Sequence, residues 1–114
     1  MHELSLATAM VDQVQEIMAR EKVRKLVSIT VAIGALSGVE RESFRFCYPL
    51  AIEGTPLDGA ELHVEEVPLR LLCLDCGQES QPEEIYLLHC AVCRSGRVEI
   101  LSGQDFVIRS LEVQ

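Results

Sequence analysis

The chain contains no tryptophan, and aromatic residues fill only 4% of its 114 positions. Its core must therefore be largely aliphatic. Basic side chains are scarce as well. Ten Lys and Arg stand against 18 Asp and Glu, giving a formal charge of −8 and a pI near 4.8. A phosphate backbone demands a basic face, so this balance argues against nucleic acid as a partner, and equally against an anionic membrane surface. Long hydrophobic runs are missing too: none approaches the roughly 20 apolar residues that cross a bilayer. The start carries an acid at Glu3 and no basic flank, which does not fit a secretory leader. No repeat, low-complexity tract or long linker interrupts the sequence. These absences lead us to expect a cytoplasmic chain of one domain, with room for a small metal-stapled lobe.

The strongest positive signal is Cys73-Leu74-Asp75-Cys76 with Cys90-Ala91-Val92-Cys93, thirteen residues apart. A Cys-x-x-Cys turn aims two thiolates at one ion, and two such knuckles complete a tetrahedral cage that suits Zn²⁺. Gly77 fits the turn after the first knuckle, where φ > 0 is often needed. Two disulfides, or an iron centre on the same ligands, are the rival readings. Nothing in the sequence suggests export, and five cysteines with four in knuckles fit a reducing compartment. Four sulfurs leave no open coordination position, so the site reads as structural and the chain as a non-enzyme. Around it, His89 is more naturally a neighbour of the site than a ligand exchanging with a thiolate. Asp75 should face solvent, and Glu79, Glu83 and Glu84 should form the solvated tip of the lobe.

Before the knuckles, Leu4, Ala7, Val11, Val14 and Met18 recur at steps of three or four, predicting an amphipathic helix of about sixteen residues. Val27, Ile29, Val31 and Ile33 alternate with Ser28, Thr30 and Ala32, the period of a strand. Glu40 to Ala51 reads as a second helix, with Phe44, Cys47 and Ala51 on its buried face and Leu50 beside them. Pro49 should kink or stop it, because its ring crowds the carbonyl of Arg45. Leu62 to Pro68 reads as a strand with His63 exposed. After the knuckles come Val98–Leu101 and Phe106–Val113. The expected architecture is α+β: two helices packed on a small mixed β-sheet, with an inserted zinc-knuckle lobe of four cysteines bracketed by one sheet. Residues 1–69 plus 97–114 should form one domain and 70–96 the lobe.

Met1-His2-Glu3 raises a second metal possibility. A residue as large as His2 usually blocks removal of the initiator Met, leaving a free α-amine. That amine, the main-chain nitrogen of His2 and the His2 Nδ1 can close fused chelate rings, and the main-chain nitrogen of Glu3 can add a fourth donor. Such a planar nitrogen field suits Ni²⁺ or Cu²⁺ rather than Zn²⁺. A helix N-terminus repels cations, but deprotonated amides would offset the charge. The competing reading is a frayed start in which His2 and Glu3 only cap a helix.

Met-His-Glu at the start, the amphipathic helix, Ile33-Gly34-Ala35-Leu36-Ser37-Gly38-Val39-Glu40, the Pro after the second strand and the two knuckles together resemble the hydrogenase nickel-incorporation family HypA/HybF, over essentially the whole chain. The resemblance implies a nickel metallochaperone with a nickel-binding α+β domain and a zinc lobe, acting in [NiFe]-hydrogenase maturation. It implies cooperation with a nickel-handling GTPase (HypB) and delivery to the hydrogenase large subunit, as a monomer or homodimer, with service to urease also open. By position, Ni²⁺ falls to Met1, His2 and Glu3, with Glu40 able to approach, and Zn²⁺ to Cys73, Cys76, Cys90 and Cys93. A zinc-ribbon protein-interaction module without a nickel role is the alternative, and the absence of a basic surface counts against it.

Overall fold

The computed structural model describes residues 2–114. Its elements run α1 (Glu3–Arg20), β1 (Leu26–Gly34), α2 (Arg41–Ile52), β2 (Glu61–Val67), β3 (Arg70–Cys73), β4 (Glu79–Ser80), β5 (Val98–Ser102) and β6 (Phe106–Val113). The strands sort into two three-stranded sheets, ordered β2-β1-β6 and β4-β3-β5. The α+β architecture expected from the pattern is present. The strand Val98–Ser102, however, does not share a sheet with Phe106–Val113. It pairs antiparallel with β3, Leu71 facing Ile100 and Cys73 facing Val98. Among the described residues, no helix is long and apolar enough to cross a membrane.

The chain divides into two compact units. The first comprises Met1–Val31, Val39–Glu65 and Val107–Gln114, and the second Ala32–Gly38 and Glu66–Phe106. In the first unit α1 packs on α2. The stripe of α1 buries Ala7, Val11, Val14 and Met18 as the spacing predicts, but it loses one expected member and gains two others. Leu4 is 47% exposed, while Met10 and the carboxylate-bearing Glu3 are buried. The stripe therefore begins one residue earlier, at Glu3, and a buried acid there requires polar partners.

Two expectations for α2 also change. The helix runs through Pro49 to Ile52 and neither stops before it nor ends at Ala51. Its buried face is Phe44, Tyr48 and Ile52, one residue away from the Cys47 and Ala51 face, with Cys47 only half-buried and Leu50 exposed. The Tyr48 hydroxyl decides the rotation. It donates to the Ala60 carbonyl at 2.9 Å, so a residue that looks amphipathic is satisfied in the core. Burial pushes its pKa up to about 12.

In the second unit, residues 34–36 are stitched to two other segments. Gly34 N–H donates to Asp105 C=O at 2.8 Å, Ala35 N–H to Val67 C=O at 3.1 Å, and Leu36 N–H to Gly103 C=O at 2.7 Å. A Cβ on Gly34 would lie 2.4 Å from the Gly103 backbone, so only glycine permits this approach. Ile33, Leu69, Leu71, Cys73 and Cys90 are buried in the same unit.

Candidate metal centres

The two knuckles are near copies of each other. In the first, Gly77 N–H returns to Cys73 C=O at 3.0 Å; in the second, Arg94 N–H returns to Cys90 C=O at 2.9 Å. The residue after each second cysteine is left-handed, with φ 76° at Gly77 and 67° at Arg94. Each turn also aims main-chain donors at its first sulfur. Cys76 N–H points to Cys73 Sγ at 3.4 Å, while Val92 and Cys93 N–H point to Cys90 Sγ at 3.3 and 3.4 Å.

The four sulfurs lie within 4.8 Å of one another. Cys73 and Cys93 are 3.5 Å apart, and Cys76 and Cys90 are 3.7 Å apart. A tetrahedron with metal–sulfur bonds near 2.3 Å has edges of about 3.8 Å, so the cage fits a tetrahedral ion. Disulfide bonding would need sulfurs about 2.05 Å apart, and all four cysteines are free. The N–H donors favour thiolate at the two buried members. The Cys76 N–H lowers the Cys73 pKa, and the Cys93 N–H leads in lowering that of Cys90 to about 6. Cys76 and Cys93 are held up. Gln78 and Ser95 N–H groups favour their thiolates, but desolvation and the neighbouring sulfurs outweigh them. A divalent cation would relieve that crowding of charge.

Asp75 is exposed, as expected, and it also accepts from the Ser95 hydroxyl and the Arg97 guanidinium. Ser95 first, then the Arg97 charge, holds its carboxyl below the usual carboxylate range. The sequence signal was weak: a Ser and an Arg placed two and four residues past the last cysteine. His89 is half-buried and lines a shallow hollow with Glu83, Glu84, Leu87 and Arg94. His63 is exposed, its Nε2 3.6 Å from the Glu61 carboxylate.

At the other candidate site, Met1 lies outside the described residues. His2 is exposed at the N-cap of α1, and its imidazole makes no capping bond. Among the described residues, the helix ladder starts with Leu6 N–H donating to His2 C=O at 2.9 Å. Glu3 is buried, and its carboxylate accepts the Glu40 N–H at 3.2 Å. Glu40 in turn caps α2, its carboxylate accepting from the Glu42 and Ser43 N–H groups at 3.0 Å each and from the Ser43 hydroxyl. Those bonds, Glu42 first, hold its carboxyl below the usual range. The structure thus brings residues 3 and 40 together through a side chain and a main-chain donor. Glu3, Leu4, Glu40, Glu42, Ser43, Phe46 and Cys47 line one open cleft.

Comparison with known proteins adds three findings. The family model described as hydrogenase/urease nickel incorporation, metallochaperone, hypA, matches residues 1–113. The chain is 40% identical to the hydrogenase maturation factor HypA of Chlorobaculum parvum across the full length of both, and 39% identical to that of Chlorobium limicola over 100% of this chain and 97% of the other. The solution structure of the Ni metallochaperone HypA from Helicobacter pylori shares the fold at TM-score 0.69 and 24% identity, over 99% of this chain and 97% of that one.

Proposed function

Because the chain belongs to the HypA family of hydrogenase and urease nickel-incorporation metallochaperones, a group of maturation factors rather than enzymes, we propose that it carries Ni²⁺ on its first three residues. The donors would be the Met1 amine, the His2 imidazole and main-chain nitrogens of His2 and Glu3. The observation that carries this reading is the position of the first helical bond. Among the described residues, the ladder of α1 begins with Leu6 N–H and His2 C=O, so it does not use the main-chain nitrogens of residues 2 and 3. Those nitrogens can lose protons to a metal without breaking α1. The buried Glu3 carboxylate, fixed by the Glu40 N–H, holds the start of the helix steady beneath them.

The four thiolates of Cys73, Cys76, Cys90 and Cys93 would hold Zn²⁺, which supplies folding free energy to the lobe 70–96 rather than chemistry. The first unit, Met1–Val31, Val39–Glu65 and Val107–Gln114, would then form the nickel domain. Nickel is cargo here. An open planar face lets thiolates of a recipient replace nitrogens stepwise, so transfer proceeds by ligand exchange in direct contact. The recipient is the hydrogenase large subunit, with the nickel-handling GTPase HypB as the cooperating partner.

Calorimetric titration of Ni²⁺ into the untagged protein tests the site, with zinc measured alongside. Wild type should bind one nickel. His2→Ala, and a variant with one Gly placed before Met1, should each lose that binding and keep their zinc and fold. Full-strength binding by either variant would refute the N-terminal site.

A further inference from the structure

A cage built from two knuckles has a weak point. Each knuckle is ordered locally by its own N–H groups, but nothing within a knuckle fixes its distance from the other. Here a polar bracket spans the gap. Asp75, inside the first knuckle, accepts from the Ser95 hydroxyl and the Arg97 guanidinium, both just beyond the second. Main-chain bonds run beside it. Leu74 N–H donates to Arg97 C=O at 2.8 Å and Cys90 N–H to Ser95 C=O at 2.9 Å, while Arg97 N–H donates to Ser95 Oγ at 3.0 Å. Ser95 therefore links a ligand of the second knuckle to an acid of the first.

The Asp75 and Arg97 side chains are 41% and 68% exposed. An isolated pair of that kind contributes little to global stability. Its effect on a metal is different, because a ligand that lets go stays at a high effective concentration when its knuckle is held in place. We propose that Asp75, acting through Ser95 and Arg97, is a positioning residue that keeps the second knuckle against the first, so that a thiolate leaving the metal recombines before the ion escapes. This rests on the reading of the four cysteines as a zinc cage.

The test is zinc release from the full-length protein to excess chromophoric chelator, at low and high NaCl. Wild type, Asp75→Ala, Arg97→Gln and the double variant should all purify with one zinc per chain. Release should be about tenfold faster in each single variant and no faster again in the double variant, since one bracket is being broken. Salt should accelerate release from wild type and leave the variants unchanged. A general loss of stability would give neither the non-additivity nor the salt signature. If Asp75→Ala does not fold, Arg97→Gln carries the same comparison without touching the first knuckle. Variants that hold zinc and release it at the wild-type rate, or a salt-independent wild type, overturn the bracket alone. A wild type without zinc overturns the cage and the bracket together.

Discussion

At the scale of single residues, Glu40 acts through different atoms in two directions. Its N–H holds the Glu3 carboxylate, and its own carboxylate caps α2. The capping bonds pull its pKa below that of the unfolded chain. A depressed pKa contributes stability that is complete above the ordinary carboxylate range and is lost as pH falls through the folded value. Glu40→Gln removes the charge while leaving the main-chain N–H to Glu3. At neutral pH it should melt a few degrees below wild type. The gap should close on acidification below about pH 4, followed by circular dichroism melts. A gap that persists in acid would show that the cap charge is not its source.

At the scale of elements, the paired knuckles solve one geometric problem with unequal residues. Both need a left-handed residue after the second cysteine. The first supplies Gly77; the second places Arg94 there, at φ 67°. A side chain in that region costs roughly 1–2 kcal/mol. Gly77→Ala should weaken metal retention in chelator competition by about that strain, since a Cβ at Gly77 meets nothing within 4 Å. Arg94→Gly should move the other way. Equal losses from both would contradict the strain account. The spacing of the cysteines and the turn at Gly77 were legible because ligand chemistry and glycine leave local marks. The left-handed Arg94 left none. Period and spacing also gave α1 and β1, but not the burial of Glu3, whose partner is 37 residues away. Nor did they give the rotation of α2, which the Tyr48–Ala60 bond sets across a loop. The two-residue strand β4 is too short to carry any period at all.

At the scale of the whole molecule, the two units differ in what holds them. The first has α1 and α2 burying Met10, Val14, Met18, Phe44, Tyr48 and Ile52. The second has short strands, a long irregular run between β4 and β5, and exposed Ile85, Tyr86, Leu87 and Val92. A segment with so little apolar burial depends on its staple. Stripping the metal with a chelator should therefore raise amide exchange across Glu66–Phe106 while protection of α1 and α2 persists. Loss of protection throughout both helices would show that the first unit is not self-supporting.

The cage also has a front and a back. Cys73 and Cys90 are buried, whereas Cys76 and Cys93 face water, one from each knuckle. An incoming chelator or oxidant thus meets one sulfur of each knuckle first. The ion would shed Cys76 and Cys93 on its way out and remain tethered by Cys73 and Cys90 until last, so the route by which metal leaves is written in the order of burial.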